Sequence, residues 1–295
     1  MIYMQENIKE QQIIELIARR SNIYVATIHS IVDPANDSKI EKILSNCGKI
    51  LYKKYVHLNF NGYVWLNLIC YRHDPKHDWL GNLADNYEGA QYHANQSIGI
   101  YPIRIVVFQS ETLNDVLIAK SKIRNLFTFG NFSIHINDFS EEAMLLSQLY
   151  FNKNSLFFIN NCPFKNDFRV YDKKIEEFKS FVKENKFHIT DFAITGSSVL
   201  ELYNIRASHD MDFITINNIG LLYHPIFSNH ISEQSFYQIS FKELITNPEY
   251  YFYYKGVKHL TPKVISDMKI RRNENPKDIQ DIKLLNTILK GKILK

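Results

Sequence analysis

The sequence predicts an α/β (α+β) protein with two domains. Strand-like apolar runs alternate with helical spacing along the first half, the pattern breaks in a polar stretch around Pro163, and a new alternation follows. A chain of 295 residues, 45% of them hydrophobic, is long enough to bury two cores. We therefore predict an α/β domain at residues 1–165 and a second domain at residues 166–295.

In the first domain, apolar residues at helical spacing predict helices, and alternating or continuous apolar runs predict strands. The helices are expected at residues 5–20, 37–44, 82–96, 112–126 and 140–150. The strands are expected at residues 23–28, 50–58, 63–70, 98–108, 132–136 and 156–159. Because strands and helices alternate, part of the sheet is expected to be parallel.

In the second domain, a helix and a strand precede a Gly-Ser turn, and a short helix and a second strand follow it. The predicted strands lie at residues 187–194, 213–216, 221–223, 236–239 and 250–260, the last alternating around Gly256. The predicted helices lie at residues 173–184, 241–245, 262–271, where Pro262 suits a first turn, and 277–289.

Composition indicates a cytoplasmic protein without a membrane span. The three cysteines, Cys47, Cys70 and Cys162, are widely spaced and show no metal-ligand pattern, which is typical of reduced thiols. The start of the chain lacks the order of a signal peptide, and no run of 18 apolar residues occurs. A net charge of +4 is compatible with a nucleotide or RNA substrate but is far from that of a dedicated nucleic-acid binder.

The stretch Phe192 to Thr215 carries the most specific chemistry. An apolar run ends in Gly196-Ser197-Ser198, a turn whose backbone N–H groups can approach a phosphate closely. Asp210 and Asp212 open the next apolar run, and side chains two residues apart on a strand point to the same side. Two carboxylates so placed suit one hard cation such as Mg²⁺. A phosphate turn beside a Mg²⁺ pair predicts phosphoryl or nucleotidyl transfer.

This stretch resembles the signature of the DNA polymerase β superfamily of nucleotidyltransferases, most of all the abortive-infection type. The resemblance covers about 25 residues, with a weaker continuation near the C-terminus, and rests on Gly196, Ser197, Ser198, Leu200, Leu202, Arg206, Ser208, Asp210, Asp212 and Phe213. It implies a nucleotidyltransferase domain with a mixed sheet and C-terminal helices. It also implies that Gly196 and Ser197 hold the triphosphate of an NTP while Asp210 and Asp212 bind Mg²⁺.

A third acid, which such enzymes usually add from a neighbouring strand, is not evident. The predicted strands after Asp212 contain no carboxylate, and Glu233 and Glu243 are poor candidates. The catalytic base therefore stays open.

Arg206 and Ser208 precede the aspartates, as in the family pattern. The guanidinium can hold a phosphate, with Ser208 fixing the turn, or it can form an ion pair with Asp210 or Glu201. His209 is expected to be exposed.

The C-terminal run is the second part of the resemblance, with Lys269, Arg272, Lys277 and Asp278 in the matching places. It implies that Lys269 reaches the triphosphate as a catalytic residue and that Asp278 caps the last helix or orients the lysine. The alternative is a solvated helix pair with Asp278 and Asp281 in surface ion pairs.

The first domain has its own polar cluster, where Ser133, His135 and Asn137 share one face of a predicted strand. A ligand site there competes with a simpler interpretation, in which Asp138 or Ser140 caps the following helix. His73, His77 and Trp79 form either an acceptor-site loop or plain surface. A zinc site is not expected there, because no cysteine lies at zinc-ligand spacing.

The sequence thus favours a Mg²⁺-dependent nucleotidyltransferase that uses an NTP donor, with a first domain that selects the acceptor or regulates the enzyme. The acceptor is a small molecule, sugar, RNA or protein. One alternative is a transferase of cell-surface polysaccharide biosynthesis that uses a phosphate-linked donor. Another alternative is a catalytically inactive module that binds a nucleotide or a partner protein. Whichever function holds, an antitoxin-type protein is a further candidate partner.

Overall fold

A computed structural model describes residues 2–72, 75–165, 168–217, 224–274 and 276–290. The chain divides into two compact units, Met1–Asn152 and Lys153–Lys295. The predicted boundary between residues 165 and 166 lies further along, within the second unit. Each unit contains one sheet with helices, so the protein is mixed α/β.

The sheet of the first unit has the strand order β2-β3-β1-β4. Its strands are β1 (Ile23–Ile28), β2 (Lys49–Val56), β3 (Ile103–Gln109) and β4 (Ile134–Ile136). Every described pair in this sheet is antiparallel, so the expectation of a parallel part was wrong. A connection that contains a helix can return the chain to either end of a sheet, so alternation of strands and helices does not fix strand direction.

Among the described residues of this unit, six α-helices accompany the sheet. They are α1 (Ile2–Arg19), α2 (Asp37–Cys47), α3 (Phe60–Tyr71), α4 (Glu88–Ser97), α5 (Leu113–Arg124) and α6 (Ser140–Tyr150). Side chains of β1 and β3 pack against Ile40 and Leu44 of α2 and Val116 and Ile123 of α5 in one buried cluster. None of the helices in the described ranges combines the length and apolar character of a membrane span.

Two stretches predicted as strands are helices. Residues 63–70 lie in α3, whose first turn is capped by the Asn59 side chain, which accepts a hydrogen bond from the backbone N–H of Gly62. Residues 156–159 lie in α7 (Lys153–Asn161). Because α3 is buried along most of its length, its sequence is continuously apolar and does not show the one-sided pattern of a surface helix.

The second unit contains a mixed sheet, as expected, with the order β7-β6-β5-β9-β8. Its strands are β5 (Phe192–Ile194), β6 (Met211–Thr215), β7 (Phe227–Asn229), β8 (Tyr251–Tyr254) and β9 (Val257–Leu260). The pairs β5/β6 and β8/β9 are antiparallel, whereas β6/β7 and β5/β9 are parallel. Its remaining helices are α8 (Arg169–Glu184), α9 (Ser197–Leu202), α10 (Phe241–Thr246), α11 (Pro262–Arg272) and α12 (Lys277–Leu289).

Two predicted strands of this unit differ from the structure, and a third is not described. Residues 250–260 form the hairpin β8–β9, because Lys255 and Gly256 both have positive φ angles, 47° and 81°, as a tight two-residue turn requires. Residues 236–239 follow a 3₁₀ helix, His230–Phe236, and form no strand. The predicted strand at residues 221–223 lies outside the described residues. The strand β7 was not predicted.

Candidate functional site

Gly196 lies against Asp212 at the point where β5 ends. The backbone N–H of Thr195 donates to the carbonyl oxygen of Asp212 (2.8 Å), which ties the turn to β6. Gly196 has a φ angle of 62°, and a Cβ on it would stand 2.2 Å from Oδ2 of Asp212. Only glycine fits this conformation and this space. The structure therefore brings the predicted phosphate turn and one predicted metal ligand into contact.

Asp210 and the serines of the turn are placed around this contact. Ser198 is buried, and its hydroxyl donates to the backbone carbonyl of Asp210 (3.1 Å). The Asp210 side chain is exposed, and Ser197, at the start of α9, is half-buried. Ser198 thus braces the segment before β6 from inside, while Ser197 and Asp210 face solvent.

Asp212 also contacts a row of hydrogen-bonded side chains that was not predicted from the sequence. Its Oδ1 lies 3.4 Å from Nε2 of His230, and both side chains are mostly buried. Nδ1 of His230 hydrogen-bonds to the hydroxyl of Tyr237 (3.3 Å), which is bonded in turn to Thr195 (2.8 Å). Burial raises the pKa of Tyr237, which therefore stays a neutral phenol. His230 thus contacts Oδ1 of Asp212, whereas Gly196 lies against Oδ2.

The strand β7 pairs with β6, and a third acid was expected on such a neighbouring strand. Asp212 is paired in register with Ser228, and Asn229 and His230 follow. No described residue of β7 is a carboxylate. His230 is the ionisable side chain next to Asp212 on this side, and nothing in its sequence context marked it.

Lys269 and Arg206 lie in a buried ion-pair cluster. Lys269 is 2% exposed and contacts Asp278 (3.0 Å) and Asp281 (2.9 Å). Arg206 makes a bidentate pair with Asp281 (2.8 and 2.9 Å), so the predicted partners Asp210 and Glu201 were wrong. Arg272 donates to both oxygens of Asp278 (2.8 and 3.0 Å).

Hydrogen bonds within the cluster favour the charged state of both carboxylates. Burial alone would raise the pKa of Asp278, but hydrogen bonds from Arg272 and Lys269 lower it to about 2. Burial also acts upward on the pKa of Asp281, and hydrogen bonds from Arg206 and Lys269 hold it below its usual range. The expectation of surface ion pairs for Asp278 and Asp281 was therefore wrong, since both carboxylates are buried.

Ser208 belongs to a separate contact. Its hydroxyl hydrogen-bonds to Glu201, and Lys174 donates both to Glu201 (2.9 Å) and to the carbonyl of Ser208 (3.0 Å). These bonds hold the loop before β6 against α8 and α9. His209 is exposed, as expected, and Lys277 is exposed at the start of α12.

The first unit contains a relay of three side chains that meet from α3, β4 and α6. The Tyr71 hydroxyl lies 2.8 Å from Nδ1 of His135, and Nε2 of His135 lies 2.7 Å from Oε1 of Glu142. The other oxygen of Glu142 accepts from the backbone N–H of Asp138 (3.1 Å). His135 was predicted as a site residue, but sequence gave no signal for Tyr71 or Glu142.

Asn137 and Asp138, the other members of the predicted cluster, have local partners. Asn137 accepts from the backbone N–H of Val25 (2.7 Å), and Asp138 pairs with Lys120 (2.9 Å). The residue before α6 is Phe139, with no side-chain cap, so capping by Asp138 or Ser140 was wrong. His73 lies outside the described residues.

Cys70 lies beside this relay and completes a set of metal-binding atom types. Its sulfur, a ring nitrogen of His135 and a carboxylate oxygen of Glu142 all lie within 4.8 Å of one another, and all three residues are buried. Burial raises the pKa of the Cys70 thiol well above its usual value, and Glu142 acts in the same direction. Since His135 and Glu142 are already hydrogen-bonded to each other, the relay accounts for them without an ion.

Comparison with models of known protein families, with curated proteins and with solved structures found no match. The relationship to nucleotidyltransferases therefore stays a prediction from residues 196–213 and 269–278.

Proposed function

We propose that the second unit is a Mg²⁺-dependent nucleotidyltransferase, which moves a nucleoside monophosphate from an NTP to a hydroxyl or phosphate acceptor. The observation that carries this proposal is the contact between Gly196 and Asp212. A turn suited to phosphate and a carboxylate suited to the metal must lie together for this chemistry, and they do. The sequence alone left their separation in space open.

The donor atoms at the site fit the ion. Asp210 and Asp212 offer carboxylate oxygens, which Mg²⁺ prefers, and the exposed Asp210 leaves room for the water and phosphate oxygens that Mg²⁺ retains. When bound, Mg²⁺ would neutralise the charge that develops on the α-phosphate as pyrophosphate leaves.

The chain's own groups would bind and orient the donor. Because Gly196 has no side chain, the N–H groups of Gly196 and Ser197 can approach phosphate oxygens directly. α9 has only six residues, so we ascribe anion binding to these N–H groups and to the Ser197 hydroxyl more than to the helix dipole. His230, held by Tyr237, keeps Asp212 in place.

For Arg206 and Lys269 we propose a positioning role. Both are engaged by Asp281, and Arg206 lies four residues before Asp210, so the ion-pair cluster anchors the start of β6 to α11 and α12. The same burial favours a second candidate, a module that binds a nucleotide without turnover. Two carboxylates neutralise Lys269, so this lysine offers little positive charge to a phosphate. The residues of β7 include no carboxylate that could act as the catalytic base.

Nucleotide binding and turnover separate the two candidates. We would measure Mg²⁺-dependent binding of the four NTPs by calorimetry, and pyrophosphate release with sugar, nucleoside, RNA and protein acceptors. Asp210→Asn and Asp212→Asn are the test variants, and Asp267→Asn, a surface acid paired with Lys263, is the control. Release that falls in both test variants but not in the control supports the transferase. Equal release from all proteins contradicts it, and binding without release in every arm favours the binding module.

A further inference from the structure

We propose that the first unit binds a sugar phosphate in a cleft beside Tyr71. The cleft has a volume of about 780 Å³ and is lined mainly by residues of α3, α4 and the segment between them, together with Arg124, Asn131 and Phe132. This volume is in the range of small-molecule sites. All of these residues belong to the first unit, so the inference does not depend on the proposed function.

The cation that would hold the phosphate is Arg124, the last residue of α5. One terminal nitrogen donates weakly to the carbonyl of Ile134 (3.4 Å), and its Nε is buried without a hydrogen-bond partner among the described residues. No described carboxylate forms an ion pair with it. Arg124 thus brings an unneutralised positive charge to the wall of the cleft, and a bound phosphate would pair with that charge.

The charges around Arg124 are separated in a way that orients such a ligand. A second cavity of about 520 Å³ also has Arg124 and Asn131 in its wall, so these two residues line both cavities. On the side of the second cavity the other charged side chains are Lys120 and Asp138, which pair with each other. The three acids of the larger cleft, Asp78, Asp85 and Glu88, do not line the second cavity. A phosphate is therefore favoured next to Arg124, and its uncharged remainder elsewhere in the larger cleft.

The larger cleft offers what a sugar ring requires. Trp79 is 39% exposed and Tyr92 61% exposed, and with Phe132 they give aromatic faces on which the apolar side of a sugar ring can stack. The exposed carboxylates of Asp78 and Glu88 have no ion-pair partner among the described residues and can accept hydrogen bonds from hydroxyls. These acids would repel a second phosphate, which disfavours a nucleoside diphosphate or triphosphate.

Tyr71 lines the cleft and is held in place by the relay behind it. Its hydroxyl lies 2.8 Å from Nδ1 of His135, and Nε2 of His135 lies 2.7 Å from an oxygen of Glu142. The relay therefore fixes the position of the Tyr71 ring in the wall of the cleft. Burial lowers the pKa of His93 to about 4, so this neighbouring side chain carries no charge near pH 7.

Calorimetry on the full chain tests the inference. The probes are the 1- and 6-phosphates of glucose, galactose and mannose, with free glucose, inorganic phosphate and AMP as comparisons. We expect at least one hexose phosphate to bind about tenfold or more tightly than glucose and than inorganic phosphate, because each comparison lacks one half of the contacts. AMP should bind more weakly than that hexose phosphate.

Variants assign the two halves of the site. Arg124→Gln should weaken the hexose phosphate about tenfold or more, whereas Lys122→Gln, an exposed cation on the same helix, should not. Trp79→Ala should weaken the hexose phosphate but leave inorganic phosphate unchanged, and because Trp79 is partly exposed its loss should leave the fold intact, which circular dichroism would check. The inference is overturned if no hexose phosphate binds, if AMP binds more tightly than all of them, or if Arg124→Gln and Lys122→Gln bind alike.

Discussion

Gly196 and Asp212 are in such close contact that a single methyl group at residue 196 would overlap the Asp212 carboxylate, at 2.2 Å from Oδ2. Gly196 follows β5 by two residues, Asp212 lies in β6, and these two strands form an antiparallel pair. Strand pairing therefore places the predicted phosphate turn beside the predicted metal ligand.

Replacing Gly196 by alanine tests this contact. Gly196→Ala should cost about 3 kcal/mol of unfolding free energy, because a positive φ angle and a steric clash combine. The matched control is Gly256→Ala, where φ is also positive, 81°, but nothing lies within 4 Å of the added Cβ. That variant should lose only about 1 kcal/mol. Urea unfolding of both variants measures the difference, and equal losses would contradict a close contact at residue 196.

The ion-pair cluster predicts a large effect for Lys269. Lys269→Met leaves the buried carboxylates of Asp278 and Asp281 with one cationic partner fewer, so we expect a loss of about 3 to 5 kcal/mol in unfolding free energy. Lys263→Met, on the same helix but in an exposed pair with Asp267, should cost about 0.5 kcal/mol. If the two variants unfold at the same urea concentration, the cluster is not the buried network described above.

Stability should fall in mild acid because of His259. This side chain is buried between the Val257 carbonyl and the Tyr171 hydroxyl, and burial lowers its pKa to about 3. In the unfolded chain this histidine has an ordinary pKa near 6.5, so as the pH falls the unfolded state takes up a proton before the folded state does. The stability that is fully present above pH 6.5 is therefore lost as the pH falls toward 3. Between pH 7 and pH 5 this group alone accounts for about 2 kcal/mol.

Unfolding free energies at pH 7 and pH 5 measure this dependence. His259→Gln should reduce the difference between the two pH values, whereas His188→Gln, at an exposed position, should leave it as in the wild type. An unchanged difference in His259→Gln would show that this histidine already takes up its proton in the folded state.

The cysteines should differ in reactivity. Burial raises the pKa values of Cys70 and Cys162 well above the usual thiol value, whereas Cys47 is only partly buried. Iodoacetamide at pH 8 should therefore modify Cys47 first, and Cys70 and Cys162 only on unfolding. Peptide mass spectrometry would read the order, with Cys47→Ser as the control that removes the fast site. Rapid labelling of Cys70 in the folded protein would rule out the closed packing around Tyr71 and His135.

Local signals in the sequence predicted most helices and the central turn. Pro262 and the spacing after it gave α11, and Gly196 with the following serines gave the start of α9. Residues 63–70 were predicted wrongly because a helix buried on nearly all sides has the continuous apolar sequence of a buried strand.

Such local signals could not predict contacts between residues that are far apart in the sequence. Arg206 and Asp281 are 75 residues apart, and Tyr71 and His135 are 64 apart. Neither pair has a local pattern that relates the two residues, since which charges and hydroxyls meet is decided by how the helices pack. His230 was missed for the same reason, because its approach to Asp212 depends on the parallel pairing of β6 with β7.

The most direct test of the nucleotidyltransferase proposal is a crystal structure with a non-hydrolysable NTP and Mn²⁺ in place of Mg²⁺, located by its anomalous scattering. The account predicts one peak between the carboxylates of Asp210 and Asp212, with the triphosphate against the backbone of Gly196 and Ser197. A nucleotide bound elsewhere, or a metal peak that contacts neither aspartate, would contradict it.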